Sequence, residues 1–134
     1  MDEDKKKILV VDDEITVCKS IRQALLSDVY VVDMALSGEE ALKKEDEKKY
    51  DVIIADLMMP GLSGLDLLRS LKGKNSAAKV IMITGYPTMK NTVQSMKFGA
   101  YDYLPKPFLP SDLRTLVARA LAAADREKTE GQEG

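Results

Sequence analysis

Apolar residues along this chain come in short blocks separated by charged or turn-forming stretches, and the blocks alternate between two spacings. Ile8-Leu9-Val10-Val11 is a compact run stopped by Asp12-Asp13-Glu14, the pattern of a buried strand. From Ile15 to Leu26 the apolar residues Val17, Cys18, Ile21, Ala24 and Leu25 recur on one helical face. Val29 to Ala35 is β-branched and aromatic enough for a second strand. Ser37-Gly38-Glu39-Glu40 offers a capping box, with Ser37 as N-cap and Glu40 as its reciprocal partner. The helix it opens is short and ends in the mixed charge run Lys43 to Lys49. Val52 to Ala55 is the third strand, and Leu65, Leu68 and Leu71 mark a helix that fades into Gly73-Lys74-Asn75-Ser76. Val80 to Ile83 is the fourth strand, closed by Thr84-Gly85. Pro87 suits the first turn of the next helix, with Met89, Val93, Met96 and Ala100 as its stripe. Tyr101 to Leu104 reads as a short fifth strand. Ser111 is the expected cap of a last helix whose stripe is Leu113, Leu116, Val117, Ala120, Leu121 and Ala124.

Five strand-then-helix units emerge from this pattern, without an internal repeat. The first, third and fourth strands are almost continuous apolar runs, as expected of parallel strands covered by helices on both faces. Alternating units of this size predict an α/β fold, a doubly wound (βα)5 sheet with right-handed crossovers, and the flavodoxin-like order 2-1-3-4-5 leads the choices. Residues 1–6 read as a charged lead, 7–124 as the folded unit, and 125–134 as a flexible polar tail or the start of a linker. In sheets of this order, ligands bind beyond the carboxyl ends of the strands, at the switch point between strands 1 and 3. Those two strands end in Asp12-Asp13 and Asp56, so the topology alone gathers three carboxylates.

Composition narrows the classes without choosing among them. At 134 residues the chain fits one domain, and 45% hydrophobic with 31% charged residues suits an ordinary soluble core. A net charge of -2 exerts no general pull toward nucleic acid or anionic membrane. No apolar run approaches the roughly 20 residues of a membrane span. The single cysteine, Cys18, excludes an intramolecular disulfide and suits a reducing cytoplasm; its place on an apolar helix face marks it as core. Histidine is absent, which removes imidazole catalysis, imidazole metal ligands and phosphohistidine chemistry from this chain itself. Met82, Met89 and Met96 match strand or helix periodicity and read as packing.

Three close carboxylates repel one another, and their surplus charge suits Mg²⁺, a hard cation that takes oxygen ligands. The fourth strand adds the Thr84 hydroxyl, and the fifth leads to Lys106 between Pro105 and Pro107. A carboxylate nucleophile, a divalent cation, a hydroxyl and a lysine make a site for phosphoryl transfer to Asp56, giving an acyl phosphate. Taken singly, each residue has a plainer reading. The acids can cap a helix dipole, Thr84 can cap the helix near Pro87, Lys106 can be a solvated lysine in a rigid turn, and Tyr103 a partly buried strand tyrosine. Their arrival at one sheet edge decides for the phosphoryl site.

The set Val10-Val11-Asp12-Asp13-Glu14, Asp56-Leu57-Met58-Met59-Pro60-Gly61, Thr84-Gly85 and Tyr103-Leu104-Pro105-Lys106-Pro107-Phe108 resembles the receiver domain of two-component response regulators. The segments Thr84-Gly85-Tyr86-Pro87-Thr88 and Phe98 to Phe108 are most similar to regulators of the nitrogen-regulator (NtrC) type. The resemblance spans about residues 7–124, and one local departure is Ser27-Asp28-Val29-Tyr30, where a glycine is frequent before the second strand. It implies Asp56 as phosphoacceptor, with Asp12, Asp13, Asp56 and the Met58 backbone carbonyl around Mg²⁺, for which Mn²⁺ is a possible substitute. It implies Lys106 and Thr84 on the phosphoryl group, Tyr103 as the switch aromatic that turns inward once Thr84 shifts, and a cis Lys106-Pro107 bond. The donor would be a sensor histidine kinase or a histidine phosphotransfer protein. The signalling face would be the fourth helix, fifth strand and fifth helix, acting on an effector or on a homodimer partner, with transcription regulation the expected output. A cytoplasmic location, and no direct contact with nucleic acid or membrane, go with this. Phosphorelay shuttling without an effector is an alternative. Another is an aspartyl-phosphate phosphohydrolase, but such enzymes place a general-acid Asp two residues after the nucleophile, where Met58 stands. A flavin carrier on the same fold fits least, because its phosphate loop after the first strand should be rich in Ser, Thr and Gly, and Asp12-Asp13-Glu14 would repel a phosphate without a metal. Slow self-dephosphorylation, and no true enzyme turnover, is the expectation.

Overall fold

The structure, a computed structural model, describes residues 4–133. The elements run β1 (Lys6–Val11), α1 (Ile15–Ala24), β2 (Tyr30–Ala35), α2 (Gly38–Lys48), β3 (Val52–Asp56), α3 (Gly64–Gly73), β4 (Lys79–Thr84), α4 (Met89–Lys97), β5 (Asp102–Pro105) and α5 (Pro110–Glu133). All strand pairs are parallel and the order is β2-β1-β3-β4-β5, as the alternating pattern predicts. The start of the charged lead, residues 1–3, and Gly134 lie outside the described residues.

Strand alternation sorts the apolar side chains into two cores. Leu9, Val11, Ile53, Ala55, Val80 and Met82 point to the face covered by α2 and α3. Ile8, Val10, Val52, Ile54, Ile81 and Ile83 point to the face covered by α1 and α5. Each strand therefore has to be apolar at successive positions, which is why β1, β3 and β4 read as unbroken runs. Cys18 is fully buried on the α1 side, among Ile21, Val117 and Leu113.

Most helix starts obey the local chemistry. Ser37 caps α2, its Oγ accepting from Glu40 N–H at 3.1 Å, while the Glu40 carboxylate returns to accept from Leu36 N–H at 3.0 Å. Two starts differ from what the sequence predicts. Thr88, not Thr84, caps α4, its Oγ1 accepting from Asn91 N–H at 3.0 Å, so Pro87 precedes the helix instead of standing in its first turn. Ser111 lies inside α5 instead of capping it. Pro110 occupies the first helical position, where a missing N–H costs nothing, and the Asp112 carboxylate accepts from Leu109 N–H at 3.2 Å.

Two larger differences concern where helices end and which face they bury. Residues 125–133, whose composition suggests a polar tail or linker, continue α5 as helix. The ion pair Lys6–Asp125 (2.6 Å), the pair Lys79–Glu127 and the pair Lys128–Asp51 (3.4 Å) lay this polar stretch along the amino ends of the strands, a support invisible in a linear pattern. On α4 the stripe expected to pack is turned outward. Met89, Val93 and Met96 are exposed, Met89 at 84%, while Ser95 is fully buried. Periodicity locates a stripe but not the phase of the helix on the sheet, and here the small Ser95 and Ala100 sit at the close approach. Met89 and Met96 are thus surface residues, and of the three methionines only Met82 is core.

Candidate functional site

The carboxyl edge of the sheet gathers its polar groups by register. Val11 pairs with Ala55 and Asp56 with Ile83, so β1, β3 and β4 end at nearly one level, and Asp12, Asp56 and Thr84 emerge side by side. Carboxylate oxygens of Asp12, Asp13 and Asp56 lie within 4.8 Å of one another, an arrangement that could hold a metal ion. Asp12 is buried, Asp56 nearly so and Asp13 exposed. One acid is sunk in the fold and one faces solvent, with Asp56 between them.

Backbone amides orient two of the three. Asp12 Oδ1 accepts from Glu14 N–H at 2.9 Å, and Asp56 Oδ1 accepts from Met58 N–H at 3.1 Å. The remaining oxygens face Lys106, whose Nζ stands 3.5 Å from Asp12 Oδ2 and 3.4 Å from Asp56 Oδ2. Both distances exceed a close charge-assisted hydrogen bond, so the ammonium is shared loosely between two acids. Burial, with the neighbouring Asp56 charge adding to it, pushes the Asp12 carboxyl up to about 6, against the opposing pull of the Glu14 amide and Lys106. The Lys106 ammonium is held above its ordinary value: burial works against the charge, but the Asp56 and Asp12 carboxylates outweigh it.

Thr84 is fully buried at the end of β4, and its Oγ1 accepts from Tyr86 N–H at 3.1 Å. Lys106 N–H donates to Thr84 O at 2.7 Å, which ties β5's end to β4's, and the Lys106–Pro107 bond is cis, as the resemblance implies. The Tyr103 ring packs against the α2–α3 core, and its hydroxyl is buried without a hydrogen-bond partner among the described residues. Met58 is 59% exposed at the surface of the β3–α3 loop. Next to Lys106, an open apolar groove of about 450 Å³ runs between α1 and the start of α5, with Val17, Ile21, Phe108 and Leu113 in its walls.

Two contributors are not evident from the sequence. Gly64 presses on the Asp56 carbonyl so closely that a Cβ there would come within 2.2 Å of it. A glycine at the first position of α3, where propensity disfavours it, is the available signal. Glu39 reaches from α2 to the Leu62 N–H of the β3–α3 loop at 3.1 Å, a contact with no sequence signature.

The response regulator receiver domain family matches residues 8–118. The transcriptional regulatory protein ResD of Bacillus subtilis is 39% identical over 120 residues, which cover 90% of this chain and 50% of ResD. ZraR of Escherichia coli K12, also a transcriptional regulatory protein, is 35% identical over 122 residues, 91% of this chain and 28% of that protein. The chain thus spans about half or less of the length of these curated relatives. Among solved structures, a CheY-like response regulator receiver domain protein from Methanospirillum hungatei superposes with a TM-score of 0.87 at 32% identity, covering 92% of this chain and 98% of that one. With the acidic edge, the sheet order and these matches in agreement, the chain belongs to the response regulator receiver domains of two-component signalling.

Proposed function

We propose that Asp56 accepts a phosphoryl group from a histidine kinase or a histidine phosphotransfer protein, and that this drives an output through α4, β5 and α5. The observation that carries the proposal is the Lys106 ammonium spanning Asp56 and Asp12 at 3.4 and 3.5 Å, above a cluster of three carboxylates. An Asp56 oxygen attacks phosphorus, the bond from phosphorus to the donor's imidazole nitrogen breaks, and that nitrogen leaves with the electron pair. Lys106 stands where it can neutralise charge on the transferred group, and Thr84 stands at the adjacent strand end with a hydroxyl to offer it.

The donor set fits a divalent cation. Three carboxylates against one ammonium leave surplus negative charge, and all the ligand atoms are hard oxygens. Asp12, Asp13, Asp56 and the Met58 backbone carbonyl are the groups we assign to Mg²⁺, with Mn²⁺ as substitute. The chemistry a bound Mg²⁺ supplies there is charge neutralisation on the phosphoryl oxygens.

Two surfaces support partners of different kinds. The apolar groove beside Lys106 offers a phosphoryl donor a seat close to Asp56. The exposed Met89, Val93 and Met96 stripe offers an effector or a second receiver an apolar contact, consistent with an α4-β5-α5 output face. Tyr103, its hydroxyl already inward and unpaired, is the aromatic we assign to the switch. Regulation of transcription, as in the named relatives, would then belong to a longer protein acting in the cytoplasm, with residues 7–124 as the receiver and the polar end of α5 as the lead into a further domain. Catalytic turnover is not part of this reading, since Met58 brings no acid to the position beside Asp56.

The test is labelling by acetyl phosphate with Mg²⁺, read by intact mass. Wild-type protein gains one phosphoryl group and Asp56→Asn gains none. Equal labelling of the Asn variant would remove Asp56 from the role, and steady turnover of small phosphate esters would restore the hydrolase reading.

A further inference from the structure

The first turn of α2 carries two glutamates that work in opposite directions. Glu40 serves its own helix, accepting from Leu36 N–H at 3.0 Å and pairing with Lys44 at 3.3 Å. Glu39 turns away from the helix. Its Oε1 accepts from Leu62 N–H at 3.1 Å, across to the loop between β3 and α3. That loop contains Met58, so Glu39 lies outside the acidic cluster yet holds a segment that borders it.

The loop is gripped at two levels. At its base, Leu57 N–H donates to Ile83 O at 2.8 Å and Gly64 N–H to Leu57 O at 3.0 Å, with Gly64 flush against the Asp56 carbonyl. At its apex, Gly61 takes a φ of +72°, a left-handed turn open to glycine, and a Cβ there would sit 3.3 Å from Glu39 Oε1. Gly38, next to Glu39, lies under Leu62, where a Cβ would come within 2.8 Å of Leu62 Cδ2. Two glycines therefore bring α2 and the apex together, and Glu39 supplies the hydrogen bond that the approach permits. Between base and apex, Met58 N–H keeps its bond to Asp56 Oδ1 at 3.1 Å.

We propose that Glu39 is a positioning residue for metal binding: by tying Leu62 to α2, it holds the β3–α3 loop, and with it the Met58 segment, in place beside the three carboxylates. This rests on the reading of the Met58 carbonyl as a Mg²⁺ ligand. Free of that tie, the loop keeps its base but samples more conformations at the apex, and the cation must order it on binding.

Two variants separate the hydrogen bond from the charge. Glu39→Gln keeps the Oε1 acceptor without the charge, and Glu39→Ala removes both. In the metal-free protein, hydrogen exchange at the Leu62 amide should accelerate roughly three- to tenfold in the Ala variant, the size expected for one net hydrogen bond, and stay near wild type in the Gln variant. Mg²⁺ affinity by calorimetric titration should fall by a similar factor in the Ala variant alone, and acetyl phosphate labelling of that variant should recover at saturating Mg²⁺. Unchanged Leu62 exchange in the Ala variant overturns the proposal. So does a Gln variant as weak as Ala toward Mg²⁺, which would assign the effect to charge, or faster exchange with unmoved Mg²⁺ affinity. Failure of wild-type protein to bind Mg²⁺ would instead strike the functional reading itself, and the Glu39 role with it, whatever the Leu62 exchange shows.

Discussion

The two ends of the sheet treat charge in opposite ways. At the carboxyl end, Asp12, Asp13 and Asp56 crowd together, and Lys106 reaches two of them only at 3.4 and 3.5 Å. At the amino end, acids meet partners of opposite charge or a backbone donor. Asp51 accepts from Lys7 N–H at 2.8 Å and pairs with Lys128 at 3.4 Å, and Lys6–Asp125 and Lys79–Glu127 join the end of α5 to β1 and β4. The same residue types therefore do different things. Paired acids at one end hold a helix onto the sheet, while crowded acids at the other keep the fold under electrostatic strain that a cation can relieve.

The largest expected effect tests that strain directly. Asp12 is buried with its carboxyl held near 6, so Asp12→Asn should stabilise the metal-free protein at pH 7.5 by on the order of 2 kcal/mol, read by urea denaturation. Mg²⁺ should stabilise wild-type protein and narrow the gap. A metal-free Asn variant no more stable than wild type would mean that the carboxyl end is not strained.

The pH dependence has a definite sign. Asp12 binds its proton more tightly folded, near 6, than unfolded, near the ordinary carboxyl value of 3.8. Its share of stability is therefore intact below about 4 and is lost as pH rises toward 6. Metal-free wild type should lose stability across that window relative to Asp12→Asn, and parallel curves would contradict the assignment.

At the other end, Asp51→Ala leaves the Lys7 N–H without its side-chain acceptor and should cost about 1–2 kcal/mol at any pH near neutrality, without changing Mg²⁺ affinity. A change in Mg²⁺ affinity would show that the two ends are coupled. Smallest is the effect of salt. Raising the ionic strength to about 1 M cuts the screening length to roughly 3 Å and should fray the polar end of α5, a slight loss of helical circular dichroism with the core intact. Helicity unmoved by salt would show that the pairs at the amino end do not hold that stretch.

Much of the site is legible in the sequence because it depends on strand ends. A buried parallel strand must be apolar until it leaves the sheet, so the first polar residue after Val11 or Ala55 marks the edge, and the sheet order places those edges together. The phase of a helix is less legible. Both α4 and α5 carry an apolar stripe, yet α5 buries Leu113, Val117 and Ala120 while α4 exposes Met89 and Val93 and buries Ser95. The stripe of α5 meets a wide face shared with α1, whereas α4 lies beside β5 at the edge of the sheet and buries the small Ser95 there. Glu39 shows the same limit, since its partner Leu62 lies on a loop that a local pattern cannot bring near α2.

By itself, the sequence determined the alternation of strands and helices, the sheet order that this alternation favours, and the convergence of Asp12, Asp13, Asp56, Thr84 and Lys106 at one edge. These depend on period and on chain order, both of which are written in the residues. Only the tertiary structure decided that Asp12 is sunk while Asp13 faces solvent, that Lys106 hangs between two acids, that α4 turns its methionines outward, and that α5 runs on through residue 133. Each of those depends on burial and on contacts between distant segments, and the energy of a charge or a methyl group is set by its surroundings in space.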